Sequence, residues 1–223
     1  MTDFESLMHD ISDKAFTVLN AKMEDESLVF EHIESKIPDG CRAVVFYGDN
    51  ASGKSFLGKV TTSLLKSKGY ATRSCSMSNR TSGMAGSAFI FGDESYSSTG
   101  VNSYQALKKM LNSSQKDSGN SISVLDEADL GLSPRYSRAL GEFVASKLSE
   151  MDDDKFIVII SHDTALISSF VDSCQLPVAE IGINTKMSLS QWLSDGSSAS
   201  LDELEALEDI SLKKFRAIQS ELK

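Results

Sequence analysis

One octapeptide of this 223-residue chain combines the residue types that hold a row of phosphates. It fits the pattern G-x-x-x-x-G-K-S, in which glycines let backbone N–H groups turn inward around an anion. A lysine then reaches the phosphate oxygens, and a hydroxyl binds Mg²⁺. The residues expected to bind the ligand are Gly48, Asp49, Asn50, Ala51, Ser52, Gly53, Lys54 and Ser55.

The flanking residues give this octapeptide the required context. The β-rich run Cys41–Tyr47 predicts a buried strand before it, and Ser55–Ser67 predicts a helix after it. A helix N-terminus favours an anion. We expect Lys54 to contact the β- and γ-phosphates of ATP and Ser55 to be a ligand of Mg²⁺.

Two adjacent carboxylates end another apolar run. Ser121–Leu125 predicts a strand, and Asp126 and Glu127 follow it directly. Asp126 could hold Mg²⁺ through its water shell, and Glu127 could polarise a water that attacks the γ-phosphate. The pair therefore favours hydrolysis, the alternative being a strand that ends in two solvated acids.

A histidine follows the apolar run Phe156–Ile160 in the sequence Ser-His-Asp. In open α/β sheets, ligands bind at the carboxyl ends of the strands. His162 could therefore contact the γ-phosphate or place the attacking water, the alternative being a histidine that only caps a turn. The expected catalytic residues are Lys54, Glu127 and His162.

Strands and helices alternate along the middle of the chain. The remaining strands are predicted at Ala71–Ser76 and Ala88–Phe91, and helices are predicted at Val101–Leu111, Pro134–Leu148 and Thr164–Phe170. Continuous apolar strand cores are typical of a parallel sheet covered on both faces. We expect an α/β fold of three layers with a mainly parallel sheet.

Composition divides the chain into four segments. Residues 1–40 predict a lead-in of one or two amphipathic helices, and residues 41–193 contain the core with all the motifs above. Residues 194–200 are a Ser-rich hinge, and residues 201–223 predict an amphipathic helix that begins with a capping box. We expect this last helix to dock on the core or on a partner without taking part in nucleotide binding.

The net charge and the composition argue against several classes of function. The net charge of −10 argues against a broad nucleic-acid footprint, although a local contact stays open. The first residues are acidic where an export signal would be basic, and the apolar runs are too short to span a bilayer. We expect a cytoplasmic protein without membrane insertion.

These motifs, in this order, resemble the ABC-type ATPase domain. GDNASGKS looks like the Walker A motif, SVLDE like Walker B, the segment 129–133 like the D-loop, and His162 like the switch histidine. The run DEADLGLSPRYSRALGEFV is similar to that of stand-alone soluble ABC-like ATPases of phages and bacteria. The resemblance covers roughly residues 41–170. It implies a P-loop NTPase fold, Mg²⁺-dependent ATP hydrolysis and an ATP-sandwich homodimer.

The chain departs from that family in two places. The best candidate for the signature motif is the segment 97–100, in which Ser98 and Gly100 would face the γ-phosphate held by a second copy. This segment lacks the Leu-Ser-Gly-Gly-Gln form. The family's Gln is missing between Ser55 and Gly100, and the short interval implies a reduced helical subdomain. Coupling to a transporter's membrane domain is therefore not expected.

We expect the ATPase to act on a protein partner, which the sequence does not identify. Two alternative functions stay open. A nucleotide-binding adaptor with little hydrolysis fits the irregular signature, but such a protein has no need of Glu127. An ATPase subunit for DNA repair or end processing, like an SMC head, would need a basic stripe or a coiled coil, which a partner could supply.

Overall fold

The computed structural model describes residues 1–76 and 98–222. Three sequence expectations lie outside these residues: the strand at Ala88–Phe91, the loop that the polar, Gly-bearing run Asn79–Ser87 predicts before it, and the reduced helical subdomain. Ser97 of the signature candidate lies outside them as well.

The described elements follow one another in α/β order. The helices are α1 (Asp3–Ser12), α2 (Lys54–Ser67), α3 (Thr99–Ser114), α4 (Pro134–Glu150), α5 (Thr164–Ser173), α6 (Leu189–Ser194) and α7 (Leu201–Glu221). The strands are β1 (Ile33–Lys36), β2 (Ala43–Tyr47), β3 (Ala71–Ser76), β4 (Ser121–Asp126), β5 (Lys155–Ile160) and β6 (Val178–Ile183).

The six strands form one sheet in the order β1-β6-β2-β5-β4-β3. All neighbouring pairs are parallel except β1 with β6, which is antiparallel. The prediction of a mainly parallel sheet is therefore confirmed. Strands β2, β5 and β4 lie side by side at its centre, so the residues that follow them share one edge of the sheet.

Helices cover both faces of this sheet. Neighbouring residues of a strand point to opposite faces, and on the central strands both faces carry apolar side chains that must be buried. On β2, Val44 and Phe46 face a core that includes α1, α2 and the end of α7. Val45 and Tyr47 face a second core formed with helices α3 to α6. Buried apolar residues on both faces explain why β2 and β5 read as continuous apolar runs.

The N-terminal segment differs from its prediction in one respect. A single α-helix, Asp3–Ser12, forms there and is followed by a short 3₁₀ helix at Thr17–Asn20. Residues 33–36 lie in the segment expected to form one or two helices, but they form the edge strand β1 and pair with β6. The burial of β1 alternates residue by residue, which is the pattern of an edge strand with one covered face.

The C-terminal helix α7 docks on the core by its last turns. Ala217 and Ile218 are buried in the same cluster as α1 and α2. Large apolar side chains elsewhere on the helix stay exposed, among them Leu204 and Phe215. Among the described helices, none is long and apolar enough to cross a membrane.

Candidate functional site

The loop of residues 48–55 joins β2 to α2 and depends on its two glycines. Gly48 has φ of 134° and Gly53 has φ of 107°, which side chains rarely tolerate. A Cβ on Gly48 would lie 2.5 Å from the Ile183 carbonyl oxygen, and one on Gly53 would lie 2.7 Å from the Phe30 ring. The backbone at both glycines therefore packs too closely for any side chain.

Lys54, the first residue of α2, is folded back into this loop and is 6% exposed. Its Nζ donates hydrogen bonds to the carbonyl oxygens of Gly48 and Asp49, both at 2.7 Å. Burial lowers the pKa of Lys54 to about 8, and the nearby charge of Glu127 opposes that shift. None of the ion pairs in residues 1–76 and 98–222 includes Lys54, so its ammonium is well placed to receive an anion.

Two side chains from distant parts of the chain hold the outer carbonyls of the loop. Asn184, at the end of β6, donates from Nδ2 to the Ser52 carbonyl at 2.8 Å. Lys214, from α7, donates from Nζ to the Ala51 carbonyl at 2.9 Å. The loop is thus held from inside by Lys54 and from outside by these two residues.

The Ser55 hydroxyl donates to Asp126 Oδ1 at 2.9 Å. This bond joins the start of α2 to the end of β4. Burial raises the pKa of Asp126, while the Ser55 hydrogen bond opposes the shift. A hydroxyl and a carboxylate side by side are the hard oxygen donors that Mg²⁺ prefers, and a cation beside Asp126 would offset the cost of burying its charge.

Glu127 and His162 face each other across the carboxyl ends of β4 and β5. The distance from His162 Nδ1 to Glu127 Oε1 is 3.4 Å. This contact lowers the pKa of Glu127 and raises the pKa of His162. Glu127 has φ of 53°, a strained value for a residue with a side chain, and such values cluster at functional sites.

The turn that carries His162 is fixed on both sides. Ser161 donates from Oγ to Asp129 Oδ1 at 2.9 Å, which ties the turn to the segment after β4. Asp163 accepts hydrogen bonds from the backbone N–H groups of Ala165 and Leu166 and caps α5. The position of His162 is therefore set by neighbours that do not depend on its own side chain.

Ser98 and Gly100 lie at the start of α3, as the signature candidate requires. Ser98 is the N-cap residue, and Gly100 packs so closely on Gly131 that a Cβ would lie 2.5 Å from the Gly131 carbonyl oxygen. The segment 129–133, which resembles a D-loop, is thus packed against the signature candidate of the same chain. Beside them lies an open cavity of about 700 Å³, lined partly by Val101 and Tyr136.

The structure brings together the Gly48–Ser55 loop, Asp126, Glu127 and His162, all at the carboxyl ends of β2, β4 and β5. Ser98 and Gly100 belong to a separate surface beside Gly131. No protein-family model matches the chain, and no curated protein matches it.

Sequence reasoning missed two residues of the loop's surroundings. Asn184 has φ of 54°, and Asn tolerates such values better than most residues, so its place directly after a strand was a weak signal. Lys214 carried no signal, because it lies on a helix 163 positions away from its partner Ala51. The sequence led us to expect a C-terminal helix that takes no part in nucleotide binding, whereas in the structure this helix contacts the Gly48–Ser55 loop through Lys214.

Proposed function

We propose that this protein binds ATP–Mg²⁺ in the Gly48–Ser55 loop and hydrolyses the bond between the β- and γ-phosphates. The Ser55–Asp126 hydrogen bond carries the proposal, because it joins the phosphate-binding pattern to the carboxylate pair. Chance matches to the loop pattern have no reason to end beside two carboxylates and a histidine. The chain is then a P-loop NTPase with the motif order of the ABC type.

In this proposal the ligand replaces contacts that the loop now makes with itself. Lys54, held by the carbonyls of Gly48 and Asp49, would turn its ammonium to the β- and γ-phosphates. Ser55 and Asp126 would hold Mg²⁺, which when bound neutralises charge on the phosphate oxygens. The N-terminus of α2, which begins at Lys54, adds a favourable dipole for the anion.

Glu127 is proposed to orient the attacking water and to accept its proton. The water oxygen forms a bond to the γ-phosphorus while the bond from that phosphorus to the bridging oxygen breaks, giving ADP and phosphate. The contact with His162 lowers the pKa of Glu127, so the carboxylate is ionised and can accept a hydrogen bond from the attacking water. His162, with a raised pKa, is placed to donate a hydrogen bond to the γ-phosphate.

We also propose that two copies meet around ATP, with Ser98 and Gly100 of one copy facing the γ-phosphate of the other. Support comes from the N-terminus of α3 at these residues and from the exposure of Val101 and Tyr136, 50% and 61%, beside it. Apolar side chains left exposed at one rim are typical of an interaction surface. Light scattering with ATP and with ADP tests this, because only ATP should favour the dimer.

Binding of a fluorescent ATP analogue to Lys54→Ala tests the proposed site. Binding should be lost, because the variant removes the charge-assisted contact to the phosphates. Lys66→Ala is the matched control, since Lys66 is an exposed lysine in the last turn of the same helix. Wild-type affinity in Lys54→Ala, with an unchanged circular dichroism spectrum, would contradict the site.

A further inference from the structure

Lys214 is a second lysine on the Gly48–Ser55 loop, and it comes from the far end of the chain. Its Nζ donates to the Ala51 carbonyl at 2.9 Å. Ala51 has φ of 58°, so its backbone adopts a conformation that a residue with a side chain reaches at a cost. A hydrogen bond to this carbonyl therefore stabilises the loop at a residue whose backbone conformation is unfavourable.

The hydrogen bond to the Ala51 carbonyl also fixes the direction of the Ser52 N–H, which belongs to the same peptide unit. In a trans peptide the carbonyl and the following N–H point in opposite directions, and the described residues contain no cis peptide. When Lys214 holds the Ala51 carbonyl outward, the N–H of Ser52 must point inward, where it donates to the Asp49 carbonyl at 3.2 Å. Inward N–H groups are what a phosphate-binding loop presents to its ligand.

Asn184 acts in the same way on the next peptide unit. It donates to the Ser52 carbonyl at 2.8 Å, so the N–H of Gly53 is also turned away from the outer side. Asn184 is fixed in turn, because it also donates to the Val29 carbonyl and accepts from the Glu31 N–H, both at 2.8 Å. Two consecutive outer carbonyls are thus held by side chains, one from the residue that follows β6 and one from α7.

The position of Lys214 depends on the docking of α7. Ala217 and Ile218, about one turn further along the helix, are buried in the core and fix the helix at this point. Much of the rest of α7 is exposed, including Leu201 and Leu204. The contact with Ala51 therefore forms only while the last turns of α7 are seated.

The charge of Lys214 has no counter-ion in the part of the chain that the structure describes. Lys214 donates there to the neutral Ala51 carbonyl, and burial lowers the pKa of Lys214. Its charge also helps to lower the pKa of Lys54, so the two ammonium groups disfavour each other. Two partly buried cations on one loop are costly by themselves, and a polyphosphate would offset that cost.

We infer that Lys214 is a positioning residue of this loop, which holds the Ala51–Ser52 peptide with its N–H toward the ligand. Nucleotide affinity then depends on the docking of α7. This inference rests on the proposed function, and it adds to the site a residue from the C-terminal helix.

Lys214→Met tests the inference, because it keeps a long apolar chain and removes the donor. The dissociation constant of the fluorescent ATP analogue should rise about tenfold, and KM for ATP should rise with it. The turnover number should stay within about twofold, since the reacting groups are untouched. Lys213→Met is the matched control: its ammonium pairs with Asp209 at 2.7 Å, its side chain is 56% exposed, and its removal should leave affinity unchanged.

Lys214→Arg separates positioning from simple stability. Arginine keeps a charged donor for the Ala51 carbonyl, so this variant should recover most of the affinity even if Lys214→Met lowers the melting temperature. Equal affinity in Lys214→Met and Lys213→Met would overturn the inference, as would an arginine variant as weak as the methionine one. Lys54→Ala, measured in parallel, distinguishes a failure of the proposed ATP site from a failure of the role proposed for Lys214. If that variant binds normally the proposed function fails, whereas normal binding by Lys214→Met alone removes only the role of Lys214.

Discussion

The hydroxyl of Ser55 donates to the carboxylate of Asp126 at 2.9 Å, although 71 positions separate the two residues. Strand β5 lies between β2 and β4, so this bond passes over the end of β5, where His162 follows. Three separate sequence motifs therefore meet within one hydrogen-bonded region. A site for Mg²⁺ and a row of phosphates is the chemistry that this combination supports.

Ser55→Ala should change the Mg²⁺ dependence of hydrolysis more than the affinity for the nucleotide. The variant removes one proposed oxygen ligand and leaves Lys54 and the loop backbone in place. We expect the Mg²⁺ concentration for half-maximal hydrolysis to rise about tenfold, which corresponds to about 1.4 kcal/mol. Phosphate release measured over a Mg²⁺ titration gives this value. Ser63→Ala, an exposed serine on the same helix, should behave like the wild type, and an unchanged titration for Ser55→Ala would remove Ser55 from the metal site.

ATP affinity should fall as the pH rises from 7 to 9. The protonated form of Lys54 is the one that pairs with phosphate, and in the free loop its pKa is lowered to about 8. Above that pH, binding must first return a proton to Lys54, so the apparent affinity should drop about tenfold over this range. The γ-phosphate contributes little, because phosphate groups of this kind lose their last proton near pH 6. Binding measured at several pH values checks this, and a flat profile would show that binding is not linked to the protonation of Lys54 in this range.

The fold was predictable from the sequence wherever a segment carried its own signal. Strand β5 contains the uninterrupted apolar run Phe156–Ile160, and α4 begins with Pro134, so both were found near their true bounds. Strand β1 was missed because its residues, Ile-Glu-Ser-Lys, become a strand only by pairing with β6. Strand β6 was missed as well, since it contains Glu180 and Gly182 within a short run.

His162→Ala should lower turnover by about 10²–10⁴-fold while changing ATP affinity much less. The reason is that its proposed contact strengthens as charge develops on the γ-phosphate. Ser161 and Asp163 hold the turn through their own hydrogen bonds, so the fold should survive. His9→Ala, an exposed histidine on α1, is the control. If turnover of His162→Ala stays within twofold of the wild type, His162 is only a turn residue.

The same variant also tests the contact between His162 and Glu127. His162 Nδ1 and Glu127 Oε1 lie 3.4 Å apart, so the decreases in turnover that the two single substitutions cause should not be additive. The double variant His162→Ala with Glu127→Gln should therefore be little slower than Glu127→Gln alone. Fully additive losses would mean that the two residues act independently of their contact.

The candidate site was predictable to the extent that its residues follow strands. Asp126 ends a strand, and Lys54, Glu127 and His162 lie shortly after one. Parallel strands bring such residues to one edge of the sheet. Lys214 was not predictable, because its approach to Ala51 depends on how α7 packs on the finished core. Packing of distant elements leaves no local pattern in a sequence.

Glu127→Gln tests the central claim most directly, because it separates a hydrolase from a nucleotide-binding adaptor. Glutamine keeps the size of the side chain and leaves Asp126, Ser55 and Lys54 unchanged, so ATP should still bind. It cannot accept the proton of the attacking water, so phosphate release should fall by about 10²–10⁴-fold. The measurement is phosphate release at saturating ATP and Mg²⁺ for the wild type and the variant, with ATP binding measured on the same samples. Strong hydrolysis by the wild type and its loss in a variant that still binds ATP is the predicted result, and equal rates for the two proteins would contradict the claim.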